Sequence, residues 1–284
     1  MLKFDTVETL NAYLQELKND GCKIGFIPTM GALHQGHLSL INRAKEDKVK
    51  TVCSVFVNPI QFNNSNDLKN YPRTLDADVD LLESVGCDAL FFPSVDEIYP
   101  NKVNTFYNFG YLETTMEGAH RKGHFNGMAV VVKRLFDIVK PDFVYFGEKD
   151  YQQLTIVKMM VKMLNLPIRI VGCPIIREAD GLAMSSRNVH LSAQEKTDAV
   201  LISQTLMEAK EMIKTKSMHE VKEWAINNLK SNPAIELEYF EIADGTYLKP
   251  VIDKMDGESI RAFIALKIGK TRLIDTMELI GAKA

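Results

Sequence analysis

Through the first ~175 residues, short apolar strand-like runs alternate with segments of helical periodicity, and this alternation constrains the fold most. "CKIGFIP", "KTVCSVFVN", "DALFFP", "DFVYFGEK" and "PIRIVGC" read as strands. Between them, "HLSLINRAKED", "LDADVDLLESVG", "MAVVVKRLFDIVK" and "QLTIVKMMVKMLN" read as helices. Continuous rather than alternating apolar strands imply cover on both faces. The pattern predicts an α/β fold, a Rossmann-like parallel sheet flanked by helices. Past "GCPIIREADGLAMSSRN" the grammar changes to two helices, "SAQEKTDAVLISQTLMEAKEMIK" and "MHEVKEWAINNLKS". Three strands follow: "IELEYFEIAD", "SIRAFIALKIG" and "TRLIDTMEL". That order predicts a smaller α+β C-terminal domain over 177–284, hinged to an N-terminal domain over 1–176.

Composition narrows the function classes. A formal net charge of −3 gives no global case for nucleic acid. There is no run of about 18 apolar residues, so no membrane partner is expected. "MLKFDTVETLNAYLQEL" carries acids and lacks the basic-then-apolar build of a signal peptide, so a cytoplasmic location is expected. Cys22, Cys53, Cys87 and Cys173 form no CxxC pair and read as buried thiols.

Three strand ends carry polar residues that a simple turn does not need. "PTMGALHQGH" follows the first long strand and opens a helix. Ligands of open parallel sheets bind outside the carboxyl ends of the strands. Gly31 and Gly36 permit close backbone approach, the helix start suits phosphate, and His34 and His37 can donate to phosphate oxygens. The form is HxGH, distinct from GxGxxG and from a P-loop. It resembles the nucleotidyltransferase superfamily that includes class I aminoacyl-tRNA synthetases and small adenylyltransferases.

At "DFVYFGEKDYQQL", Lys149 suits phosphate, Asp150 suits ribose hydroxyls or hydrated Mg²⁺, and Gln153 offers an amide. The alternative there is an ordinary helix start. "DGLAMSSRN" places Ser185, Ser186 and Arg187 after a turn signal, as a mobile loop over a triphosphate would need; the alternative is a polar linker. "VFVNPIQF" puts Asn58 and Gln61 past another strand end. "EGAHRKGHFNG" offers Arg121 and His124 to an anionic substrate, or is a solvated loop.

In order, "PTMGALHQGH", "FVNPIQF", "HRKGHF", "GEKDYQQ" and "MSSRN" resemble the pantoate–β-alanine ligase family, and "YPRTLDADVDLLESVGCDALFFPSVDEIYP" is similar to it throughout. The resemblance implies that 1–176 is a Rossmann-like nucleotide- and pantoate-binding domain and 177–284 a small C-terminal lid domain, in a ligase of pantothenate biosynthesis that joins (R)-pantoate to β-alanine through a pantoyl-adenylate. ATP is then a substrate, AMP and pyrophosphate are released, Mg²⁺ accompanies the nucleotide, and the enzyme is a homodimer.

It implies ATP contacts at Met30, Gly31, Ala32, Leu33, His34, Gln35, Gly36 and His37, at Gly147, Glu148, Lys149 and Asp150, at Ile176 through its backbone, and at Met184, Ser185, Ser186 and Arg187. His37 matches the family's catalytic histidine, with His34, Lys149 and Arg187 as further phosphate-facing catalytic groups. Gln61 and Gln153 match pantoate contacts, and Gln61 a β-alanine contact. The chain has Lys122 where the family usually has proline, and Ile175–Ile176 where a threonine–valine pair is common.

Three rivals remain on the residues alone. A small adenylyltransferase would need a further basic cluster, a tRNA ligase would need a basic or anticodon-type extension, and a non-catalytic nucleotide binder need not keep both histidines, Lys149 and Arg187.

Overall fold

Buried β-type runs become strands, joined by helices that return the chain to the same end of the sheet. The computed structural model describes residues 1–62, 65–102, 104–251 and 259–282. In it β1 (Leu2–Phe4), β2 (Ile24–Thr29), β3 (Lys50–Val55), β4 (Ala89–Phe91), β5 (Phe143–Gly147) and β6 (Arg169–Cys173) form one parallel sheet. Its order is β1-β4-β3-β2-β5-β6. The chain steps from β2 outward to β3 and β4, then returns to add β5 and β6 on the other side. The direction therefore reverses between β2 and β5, the crevice where such sheets take ligands. Both carboxyl ends there belong to the HxGH and GEKD segments.

Ile27, Ile41, Ala44, Cys53, Leu82, Leu90 and Tyr145 pack in one core cluster around this sheet. β1 is absent from the sequence reading because three residues, two of them exposed, carry no periodicity. All four cysteines are free thiols, and burial pushes those of Cys53 and Cys87 up and away from reactivity.

The chain divides into two units, Met1–Gly147 with Ile156–Pro174, and Glu148–Thr155 with Ile175–Ala284. The second contains helices Ala193–Met212 and Met218–Lys230 and an antiparallel sheet of β7 (Ile235–Asp244), β8 (Ile260–Ile268) and β9 (Thr271–Ile280). Both helices open with a Ser-x-x-Glu capping box, Ser192 with Glu195 and Ser217 with Glu220. Ile202, Leu206, Val221, Leu229, Phe240, Ile264 and Leu266 form the core there.

Glu148–Thr155 groups with this second unit, whereas element order alone puts it before the boundary at 176. Glu148 accepts from Arg261 of β8 at 3.0 Å, and the Tyr151 hydroxyl donates to the Gly245 carbonyl at 2.9 Å. Among the described residues no helix is long and apolar enough to cross a membrane.

Candidate active site

At the carboxyl end of β2 the backbone turns through two left-handed residues, Gly31 at φ +79° and Ala32 at φ +50°. A side chain at Gly31 would be strained by this φ, and its Cβ would lie 2.9 Å from an Asp78 carboxylate oxygen. Asp78 comes from the helix Leu75–Ser84 and is 1% exposed. Its Oδ2 accepts from the Ala32 amide at 3.0 Å and its Oδ1 from the Leu33 amide at 2.8 Å. Thr29 Oγ1 accepts from the Gly31 amide at 3.2 Å and donates to the Ser54 carbonyl at 2.6 Å, tying the turn to β3.

The two histidines form a capping box at the start of the helix Gln35–Glu46. His34 is the N-cap, and its Nδ1 accepts from the Gly36 amide at 3.1 Å. His37 Nδ1 accepts from the His34 amide at 3.3 Å, and the ring centroids lie 4.1 Å apart. The i, i+3 spacing is that of Ser-x-x-Glu, with imidazole nitrogens as acceptors. A ring whose Nδ1 accepts carries its neutral-state proton on Nε2, so the backbone sets one tautomer for both rings. This alters the sequence expectation of open amides for phosphate. The amides of Gly31 through His34, Gly36 and His37 are engaged inside the loop, and each imidazole keeps Nε2 as the ring nitrogen that can donate.

Past β3, Asn58 caps the short 3-10 turn Pro59–Gln61. Asn58 is buried. Its Oδ1 accepts from Tyr99 Oη at 2.9 Å and from the Ile60 amide at 3.4 Å, and its Nδ2 donates to the Gly127 carbonyl at 3.2 Å. These bonds make Asn58 a builder of the turn, with one Nδ2 hydrogen given to the Gly127 carbonyl. Gln61 Nε2 approaches Met30 Sδ at 3.5 Å, so two predicted contact residues meet. The Gln61 carbonyl accepts from Nδ1 of buried His124 at 2.9 Å, which gives this histidine the opposite tautomer. The helix His124–Val139 comes so close that a Cβ at Gly127 would lie 2.5 Å from the Ile60 carbonyl oxygen. Arg121 pairs with Glu117 at 3.7 Å.

Gly147 ends β5 in the first unit. The remaining predicted residues belong to the second. Lys149 is half-buried, Asp150 exposed, and their charges lie 4.0 Å apart. Arg261, 5% exposed, pairs with Glu148 and stacks 3.9 Å over the Tyr151 ring, so Glu148 anchors the segment. Gln152 is buried and Gln153 half-buried.

The Ile176 carbonyl accepts from the Met184 amide at 3.0 Å, and Arg177 bridges Ala183, so residues 176–184 close a narrow hairpin. Asn188 Nδ2 donates to Glu178 at 2.7 Å, and Arg177 pairs bidentately with buried Asp275 at 2.6 and 3.1 Å. These bonds tie the expected mobile loop to its surroundings. Ser185 Oγ accepts from the Arg187 amide at 3.2 Å, leaving Ser185, Ser186 and Arg187 half-buried at the hairpin's end.

Asp78 and Tyr99 are structural determinants that the sequence alone does not assign, and His124, offered there to an anionic substrate, has its Nδ1 on the Gln61 carbonyl. Burial holds the Tyr99 hydroxyl protonated well above its ordinary range, as a permanent donor to Asn58. Among the described residues no three His, Cys, Asp or Glu side chains gather as a metal cage.

Comparison with known proteins agrees over nearly the whole chain. The family model described as Pantoate-beta-alanine ligase matches residues 3–278. A pantothenate synthetase of Bacteroides thetaiotaomicron is 47% identical over 273 residues, covering 96% of this chain and 97% of that protein. One from Flavobacterium psychrophilum is 46% identical over 281 residues, covering 98% and 100%. The crystal structure of a Thermus thermophilus pantothenate synthetase matches with a TM-score of 0.93 at 41% identity over 99% of this chain and 100% of that one. A Francisella tularensis pantoate-beta-alanine ligase, complexed with beta-gamma ATP and beta-alanine, matches with a TM-score of 0.79 at 35% identity, covering 98% of each.

Proposed function

The chain belongs to the pantoate–β-alanine ligase family, and from that premise we propose that it condenses (R)-pantoate with β-alanine through a pantoyl-adenylate. A carboxylate cannot expel oxide when an amine attacks, so it must first gain a leaving group. A pantoate carboxylate oxygen attacks the α-phosphorus of ATP. The bond from that phosphorus to the bridging oxygen breaks, and pyrophosphate leaves. The neutral amine of β-alanine then attacks the acyl carbon, AMP departs, and the nitrogen's surplus proton passes to solvent.

Charge grows on the phosphoryl oxygens in the first step. The Nε2–H groups of His34 and His37, with Lys149, Ser185, Ser186 and Arg187, would aim donors there. The backbone of Met30 through His37, of Gly147 through Asp150, and of Ile176 and Met184 would shape the nucleotide's surroundings. Gln61 and Gln153 would hold pantoate, and Gln61 then β-alanine. Positioning carries the amine step, since no general base is required for an already neutral amine.

Mg²⁺ would enter with the nucleotide, held by phosphate oxygens and water, as this ion usually is. Its chemistry there is charge neutralisation. Asp78, the buried acid beside the loop, has its oxygens on backbone amides and does not fit as a ligand. The same family resemblance supports a homodimer working in the cytoplasm.

One observation carries this reading: a two-histidine capping box at the reversal point of the sheet, in a chain whose family match spans 3–278. ATP–pyrophosphate exchange tests it. Exchange should require pantoate, and β-alanine should then yield pantothenate and AMP. Exchange supported instead by a phosphorylated acceptor, or by an amino acid, would refute it.

A further inference from the structure

We infer that Asp78 is a positioning residue for adenylation: it holds the Gly31–Leu33 turn in the shape that places the two histidines. The inference rests on the ATP-dependent reading above. The turn is an unfavourable one, with a left-handed glycine followed by a left-handed alanine, and a non-glycine residue rarely adopts that φ. Two consecutive amides, those of Ala32 and Leu33, then point the same way into the protein. They need a group with two acceptors and no donor, and a carboxylate is the side chain that supplies it. Asp78 meets the need at 3.0 and 2.8 Å, with Thr74 Oγ1 donating to the same Oδ1 at 3.2 Å.

Asp78 is 1% exposed, while its neighbours Asp76 and Asp80 are not buried, so one acid of "LDADVD" is set apart. Leu33 is followed directly by His34, whose amide and ring are half of the capping box. A shift at Ala32–Leu33 is therefore passed by one peptide to both imidazoles. Gly31 belongs to the same device, since any Cβ there would press on the Asp78 carboxylate.

Asp78→Asn is the informative change, being equal in size and lacking one acceptor. Its NH₂ would face an amide N–H, and the turn should relax. The expected result is a fall in kcat/KM for ATP on the order of 10²-fold, in line with misplacement of a reacting group by about 1 Å. The KM values for pantoate and β-alanine should stay unchanged, and the Ala32 and Leu33 amide protons should exchange faster by NMR.

A folded variant with wild-type kcat/KM for ATP would overturn the proposal. So would an equal rise in all three KM values, which marks general loss of structure. If Asp78→Asn does not fold, Thr74→Val removes one donor to Oδ1, and the same ATP-selective loss, smaller in size, is expected; no loss would overturn the proposal. Amide exchange needs no turnover, so slow Ala32 and Leu33 amides in an inactive wild type would count against the ligase reading and leave the clamp standing. Fast exchange in the wild type would count against the clamp.

Discussion

A histidine in a helix capping box has two tasks on one ring: Nδ1 satisfies a backbone donor while Nε2 keeps its proton for donation. His34 and His37 do this at the start of the same helix, so their effects are coupled. His37→Ala should lower pantoate-dependent exchange by about 10²–10³, the usual loss for one transition-state donor. Because His37 also caps the His34 amide, the double alanine variant should lose less than the product of the two single losses. Strict multiplicativity in a double-mutant cycle would contradict the shared box.

A second contrast separates recognition from construction. Gln61→Ala should raise the KM for pantoate and β-alanine at unchanged melting temperature. Asn58→Ala should instead lower stability by about 1–3 kcal/mol, because the Tyr99 hydroxyl and the Ile60 amide lose their acceptor. Thermal unfolding beside steady-state kinetics distinguishes the two.

The HxGH pair is legible in the sequence as phosphate chemistry, because two histidines at a strand-to-helix junction exceed what a turn needs. Its capping role is not legible, since imidazole is outside the usual cap residues. Asp78 is hidden for another reason: it lies 45 residues from Leu33, and only the folded chain brings them together.

At the scale of elements, one device recurs at the opposite end of the parallel sheet. Asp88 precedes β4 and grips the start of neighbouring β3, accepting from the Thr51 amide and hydroxyl at 2.9 Å each and from Lys50 at 2.8 Å. Asp142 precedes β5 and grips the start of β2, accepting from the Ile24 amide at 2.9 Å and Lys23 at 2.8 Å. For each carboxyl, burial works upward, but the lysine and backbone donors outweigh it and hold the group below its ordinary value.

A depressed folded-state pKa stabilises fully above the unfolded value, about 3.9, and the contribution is lost as pH falls through the folded one. Wild-type unfolding free energy in urea should therefore drop on acidification below about pH 4. Asp88→Asn and Asp142→Asn should each be less stable at neutral pH and lose less on acidification. Equal slopes for wild type and variants would refute the assignment. The strands and helices were legible because apolar periodicity is strong in them; the short β1 and the aspartate grips are set by pairing across the sheet and leave no local pattern.

For the molecule as a whole, the question is whether ATP and pantoate are drawn by overall charge or recognised locally. The formal net charge is −3, and both substrates are anions, so no long-range attraction follows from the total. On the proposed reading, recognition falls to local donors: the Nε2 groups of His34 and His37, Lys149, and Ser185, Ser186 and Arg187. Half-buried groups of this kind are screened less by salt than exposed ones.

A chain that neutralised 6–10 nucleic-acid phosphates would lose about 10³–10⁵ in affinity between roughly 50 and 200 mM salt. Here kcat/KM for ATP should change by less than about tenfold over that range, because only a few local charges are screened. Added tRNA should neither support exchange nor inhibit it. A steep salt slope, or competition by tRNA, would revive the polynucleotide reading and would require a basic surface that the net charge gives no reason to expect. A shallow slope together with pantoate-dependent exchange leaves local phosphate recognition, rather than total charge, as the source of specificity.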